Sequence, residues 1–279
     1  VAATDDVAFL QRVWPALVAI ERAYRRGTRF AIHEDPADGL IAAGEPGVAL
    51  TWMDAKVGAW VVTPRIGKPV EINALWLRAQ MSLAEFAERL GSGDASHFRA
   101  GAERTRLGLA RYWNAERGYL YDVLDGPTGD DPTLRPNQLF AVSLSISAFT
   151  QAQQQAIVAI CARALQTTMG LRSLAANDAR YRAHYGGSPL ERDGAYHQGT
   201  VWCWLTGPLA LASSRAYGDA RRGLAYVEAL GREIDGYGVG TLAEIADGAP
   251  PHVARGAIAQ AWSVGEVLRA WLTLSTPAV

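Results

Sequence analysis

An aspartate beside an indole, in Thr51-Trp52-Met53-Asp54-Ala55-Lys56-Val57-Gly58, is the stretch of this chain best suited to chemistry. Thr63-Pro64-Arg65 and the apolar run Val70-Glu71-Ile72-Asn73-Ala74-Leu75-Trp76 follow it. Sugars are held through aromatic faces and cleaved by carboxylic acids, so this pairing suits glycosidic chemistry. Alone, an aspartate in a loop is most often a turn or cap residue, and a second carboxylate is required. Glu244 supplies one in Gly240-Thr241-Leu242-Ala243-Glu244-Ile245, although by itself it reads equally as a solvated helix-end charge. Glu71 and Asp193 are rivals: Glu71 opens a helix, where an acid complements the dipole, and Asp193 can pair with Arg192 or Arg135. Arg65, Arg135, Asn137, Gln138, His197, Gln198 and Gln260 offer the multidentate hydrogen bonding that sugar hydroxyls need. Trp52, Trp202 and Trp262 would stack on pyranose faces or else fill the core. His184 and His252 give His197 no partner at metal-ligand spacing, and no serine sits in a nucleophile-elbow pattern.

Helical elements must position these groups. Thr4 is placed to cap a run ending near Arg26, with Pro15 set to kink or split it and Gly27 to stop it. After an irregular stretch from about Thr28 to Pro69, helical spacing returns over 71–90 and 95–113. Further helices are expected near 137–148, 151–166, 200–217, 220–234 and 257–274, with strands confined to short pieces in the loops. The candidate residues fall where this pattern breaks, and loops carry binding groups on a rigid scaffold more often than helix interiors do. If successive helix pairs form a ring, loops from one rim converge on a central pocket.

A chain of 279 residues, 49% apolar, can bury a sizeable core, and no Pro/Ser-rich linker divides it, so 1–279 reads as a single domain. With 27 basic and 28 acidic residues interspersed, nothing points to nucleic acid. No apolar run approaches the roughly 18 residues of a membrane span, and Cys161 and Cys203 read as two buried free thiols. A cytoplasmic protein is the expectation.

Six pieces, in order, resemble the glucosidase region of glycogen debranching enzymes, the amylo-α-1,6-glucosidase family. They are TWMDAKVGAWVVTPRIGKPVEINALW (51–76), YLYDVLDG (119–126), LRPNQLFAVSL (134–144), RDGAYHQGTVWCWLTGP (192–208), GTLAEIADGAPPH (240–252) and GAIAQAWSVGEVLRAW (256–271). Their joint occurrence is specific where any one alone is not. Departures include Ala59 in place of a frequent acid, and Cys203 and Ala246 where proline and a larger aromatic residue are common.

The resemblance implies an all-α fold, an (α/α)6 toroid of helices in pairs, about eight of them here, incomplete at the N-terminus with an exposed apolar edge. It implies inverting hydrolysis of α-1,6-linked glucose at the branch points of glycogen or limit dextrin, with no metal and no organic cofactor. Carried over by position, Asp54 matches the general acid and Glu244 the general base. Such a pair should stand roughly 6.5–9.5 Å apart to admit water. Asp54 is expected to have a raised pKa, from Trp52, Met53 and partial desolvation. The alternatives are a glycan-binding protein without turnover, or a helical arc completed by a homo-oligomer or by a missing N-terminal region.

Overall fold

The computed structural model describes residues 4–144 and 146–276. Nine α-helices run through them: α1 (Val7–Arg26), α2 (Val70–Leu90), α3 (Ala95–Leu109), α4 (Phe140–Ser143), α5 (Gln151–Leu165), α6 (Pro189–Ala195), α7 (Thr206–Tyr217), α8 (Ala220–Gly231) and α9 (Ala261–Ser275). Sheets are minor, each strand two to four residues long. Among the described residues no helix is long and apolar enough to cross a membrane.

Local chemistry explains the element ends. Asp6, rather than Thr4, caps α1: its carboxylate accepts from the Phe9 amide at 2.8 Å. Pro15 sits inside α1, which continues unbroken from Val7 to Arg26. Thr150 and Gln153 form a reciprocal capping box on α5, as do Ser188 and Glu191 on α6. The helix expected from 200 starts at Thr206, because Pro208 is tolerated only in a first turn. Val201–Trp202 is a strand instead, followed by a 3-10 turn. The helix expected over 137–148 is a 3-10 turn at Pro136–Leu139 running into α4, and Ser145 lies outside the described residues.

Helices pack as neighbours along the chain: α2 on α3, α7 on α8, and both α7 and α8 on α9. These contacts are close at glycine. A Cβ on Gly223 of α8 would lie 2.5 Å from the Ala210 carbonyl of α7, and one on Gly207 of α7 would lie 2.5 Å from the Glu266 carbonyl of α9. The principal core joins Val70, Ala74 and Leu77 of α2, Ile157, Val158, Cys161 and Leu165 of α5, and Leu209, Ala212 and Ala216 of α7. Apolar side chains at i, i+1, i+4 and i+8 of α5 form the stripe expected of a half-buried helix. Both cysteines are buried and unbridged. α9 leaves Val264, Leu268, Trp271 and Leu272 exposed.

Two small sheets matter for the site. Lys68–Pro69 pairs with Val123–Gly126, which pairs with Gly129–Asp131, bringing Asp122 beneath the 63–71 segment. A five-stranded antiparallel sheet runs in the order 166–167, 170–172, 201–202, 245–246, 254–255. Its register sets Trp202 opposite Ile245 and Val201 opposite Ala246. Glu244 is thereby fixed next to Trp202, although 42 residues separate them in sequence.

Candidate active site

Asp54 leaves the protein surface from a short, tightly held loop. Thr51 adopts φ 67°, a left-handed conformation costly for a β-branched residue. Its hydroxyl accepts from the Met53 amide at 3.2 Å and from Arg65 Nη1 at 3.2 Å. Met53 points inward and is fully buried, so the next side chain points out, and the Asp54 carboxylate is 66% exposed. The hairpin Lys56–Val57/Trp60–Val61 follows at once.

The facing wall is the 196–202 segment. Gly199 has φ +135°, and a Cβ there would meet the Arg182 carbonyl at 2.4 Å, so the turn that presents Tyr196, His197 and Gln198 requires glycine. Gln198 sews this segment to the hairpin by donating to the Val62 carbonyl at 3.1 Å and the Thr63 hydroxyl at 3.2 Å. His197 is buried and lies parallel to Trp202, ring centroids 5.1 Å apart, with Nε2 3.8 Å from Asp54 Oδ1. Trp52 stands edge-on to His197, Trp202 and Trp204 at 5.1–5.3 Å, and Trp204 stacks on Trp262 at 4.0 Å. Trp262 is 41% exposed, which leaves an indole face at the mouth of the cluster.

Glu244 is held on the other side of Tyr196. The Tyr196 hydroxyl donates to Oε1, and the Ala257 amide donates to Oε2 at 2.8 Å. Burial, then the neighbouring Glu244, pushes the Tyr196 phenol well above its ordinary pKa, with Asp54 adding to the effect. The phenol therefore stays protonated and remains a donor. The two carboxylates thus front one aromatic wall: Asp54 beside His197, His197 4.8 Å from the Tyr196 ring, and Tyr196 bonded to Glu244.

Beneath this surface lies a layer of buried polar groups. Arg65 donates to both oxygens of Glu71, at 2.7 Å to Oε2, and its Nε donates to Asp122 Oδ2 at 3.0 Å. Asn137 donates to Asp122 Oδ1 at 2.7 Å and accepts from the Trp52 indole at 2.7 Å. Arg135 donates to the carbonyls of His197 (2.7 Å) and Ser173 (3.0 Å) and to Gln198 Oε1 (2.9 Å). Gln138 donates to the Arg135 carbonyl and accepts from the Leu120 amide, 3.2 Å each.

Sequence reasoning gave Arg65, Arg135, Asn137, Gln138 and Gln198 to sugar hydroxyls, and Glu71 to a structural or sugar-contact role. All six are 6% exposed or less, and their polar atoms bond within the protein, to Asp122, Trp52, one another and backbone groups. Arg65 and Arg135 support the wall from beneath, because a buried guanidinium must find carboxylates or carbonyls inside the protein, and Gln198 also borders the cleft at the hairpin. Asp193 is paired with Arg192 at 2.8 Å, as its arginine neighbours suggest, and Gln260 sits at the N-terminal boundary of α9 without a side-chain capping bond. Four residues were missed. Asp122 and Tyr196 lie inside the YLYDVLDG and RDGAYHQG pieces, and Trp204 is two residues beyond Trp202; adjacency to named residues was the available signal. Trp60 lies six residues after Asp54.

The expected raised pKa of Asp54 is corrected in the free chain. His197 first, then its field, holds the Asp54 carboxyl below its ordinary value, outweighing partial desolvation. Burial lowers the His197 pKa in turn, with Asp54 opposing the shift. Replacing His197 with Phe removes the group that favours the charged form. The Asp54 pKa should rise, with a larger protonated fraction at any given pH, read from the 13C shift of its carboxyl carbon. An unchanged midpoint would exclude His197 as the cause.

The fold has relatives among solved structures. An uncharacterized conserved protein from Thermus thermophilus superimposes with a TM-score of 0.69 at 16% identity, covering 97% of this chain and 74% of that one. The GH63 mannosylglycerate hydrolase from the same organism, in complex with glucose, gives 0.56 at 18% identity over 74% and 45% of the two chains. The shared fold is a helical toroid. A helical toroid with two carboxylates fronting an indole cluster defines the class as glycoside hydrolase-like. More narrowly, residues 1–269 match the amylo-alpha-1,6-glucosidase family, and the chain belongs to it. The glycogen debranching enzyme of Saccharomyces cerevisiae (strain ATCC 204508 / S288c) is 27% identical over 224 residues, taking in 65% of this chain and 15% of that protein's length.

Proposed function

We propose that this chain, read as one α-toroid domain over 1–279, hydrolyses α-1,6-linked glucose at the branch points of an α-glucan such as glycogen. Asp54 is the general acid and Glu244 the general base. One observation carries the reading: Tyr196 is bonded to Glu244 and its ring lies against His197, which faces Asp54. Family membership supports the choice of an α-1,6-linked glucan.

The chemistry divides between the two acids. Asp54, exposed in the free chain, loses its water when a sugar covers it, and desolvation then favours the protonated form that an acid must have. It gives that proton to the departing glycosidic oxygen. Glu244, oriented by Tyr196 and the Ala257 amide, takes a proton from a water attacking the opposite face of the anomeric carbon. Trp262 offers a face for the pyranose, and the buried Arg65 and Arg135 layer keeps the wall rigid.

Attack from the opposite face converts an α linkage into β-glucose. The 1H NMR spectrum of a fresh digest of phosphorylase limit dextrin should show the β-anomer first. Glu244→Ala should lower glucose release by about 100- to 10,000-fold, with added azide restoring consumption as β-glucosyl azide. Initial release of α-glucose, or undiminished turnover by the variant, would remove the assignment.

A further inference from the structure

A cleft of about 780 Å3 opens against the Lys56–Val57/Trp60–Val61 hairpin, with Trp60, Val62, Gly194, Ala195 and Gln198 in its lining. It is bounded by Trp60 at the hairpin, by Leu190 and Glu191 of α6, and by Arg180, Arg182 and His184 on the 180–187 segment. Its volume lies in the ~300–1,000 Å3 range of organic ligand sites. Three features of its lining tell what it would hold.

Trp60 is 47% exposed, although its ring edge lies against Gly194, where a Cβ would come within 3.2 Å of it. The backbone of α6 thus braces an indole whose remaining surface is open. The wall opposite is equally braced: the Arg182 amide donates to the Gln198 carbonyl at 2.6 Å. The cleft is therefore set between two segments that also carry the site, the hairpin after Asp54 and the 196–199 turn.

Its charges are largely answered from within. Arg180 is paired with Asp178 at 2.8 Å and donates to the Thr133 hydroxyl at 2.7 Å. His184 lies 3.7 Å from Asp247, and Glu191 accepts from the amide and the hydroxyl of Ser188, both at 2.8 Å. Only the Arg182 guanidinium is left with the Tyr181 carbonyl, at 3.2 Å, as its partner among the described residues. An indole face and one available guanidinium, amid compensated charges, suit a neutral polyhydroxyl chain better than an anion.

We infer that this cleft is the groove for the leaving glucan chain, with Trp60 as its stacking platform and Arg182 as its hydrogen-bond donor. The inference rests on the proposed role of Asp54. An acid that protonates the glycosidic oxygen must have the departing chain on its own side, and Trp60 is on the hairpin that begins two residues after Asp54. At a branch point the leaving group is a linear α-1,4 chain running past the site, which needs an open groove rather than a closed pocket.

Linear maltotetraose carries no α-1,6 bond and serves as the probe for the intact chain, by titration calorimetry. The native chain should bind it more tightly than maltose. Trp60→Ala and Arg182→Ala, each checked for native circular dichroism, should each weaken it about tenfold, equivalent to about 1.4 kcal/mol, and flatten the dependence on chain length. Trp60→Ala should also raise KM for limit dextrin more than it lowers kcat. No binding by the native chain, native affinity in both variants, or competition by inorganic phosphate would each overturn the groove. Binding and turnover are read separately: loss of the catalytic reading shows as absent glucose release with Trp60-dependent binding intact, and loss of the groove as glucose release with no such binding.

Discussion

Asp54→Asn is expected to lower kcat/KM for glucose release from limit dextrin by about 100- to 10,000-fold while sparing affinity for the glucan. The amide is nearly the shape of the carboxyl and keeps its place above buried Met53, but it has no proton to give. Because the side chain is 66% exposed, the substitution leaves no buried charge uncompensated, and the unfolding midpoint should stay close to native. The leaving group sharpens the test. An alkoxide needs protonation as it departs and fluoride does not, so α-glucosyl fluoride should lose far less of its rate in the variant. Equal losses on both substrates would mean that Asp54 positions the sugar rather than protonates it. Undiminished release from dextrin would refute its part in the reaction and favour a glycan-binding role for this face.

How much of this was legible without coordinates depends on the range of the interactions involved. The helices α2 and α5 could be read directly, because Ala74, Leu77, Met81 and Leu83, or Ile157, Cys161 and Leu165, recur at the spacing of one helical face. α6 falls outside the expected helices although Ser188, Pro189 and Glu191 spell out a capping box, because its 7 residues are too few to show a helical period. The strands were not legible: two residues cannot show an alternation, and Trp202 meets Ile245 only through tertiary pairing. The same limit governed the site. A guanidinium beside aromatic motifs suits sugar hydroxyls and buried carboxylates equally well, and only the fold reveals that Arg65 meets Glu71 and Asp122. Asp54, Glu244, His197, Trp52, Trp202 and Trp262 were nameable from their motifs. The bond from Tyr196 to Glu244 depends on a sheet register that brings positions 196 and 244 together.

Arg65→Met should have the largest effect on stability of any single substitution in this layer. The guanidinium, Glu71 and Asp122 are each nearly inaccessible, and the flanking acids raise the Arg65 pKa against the opposing effect of burial, so it remains charged. Removing it strands the Glu71 carboxylate in a low-dielectric interior and leaves Asp122 with the Asn137 amide and, at 3.9 Å, Arg135. Breaking a buried pair in this way costs about 3–5 kcal/mol, or a fall in Tm of about 6–20 °C for a chain of this size. The cause can be separated from lost packing. If uncompensated charge dominates, the double variant Arg65→Met/Glu71→Gln should be more stable than Arg65→Met alone, and Arg65→Lys, which keeps the charge but not the planar fork, should fall between native and Met. A penalty under about 1 kcal/mol, the level of an exposed ion pair, would show that the network contributes little. Activity should suffer beyond the loss of folded protein, because Arg65 also donates to the Thr51 hydroxyl at 3.2 Å and Thr51 sets the turn that presents Asp54. At a temperature where the Met variant is still fully folded, kcat should therefore remain below the native value with KM less affected. A kcat restored to native under those conditions would confine Arg65 to stability and leave the Thr51 turn self-supporting.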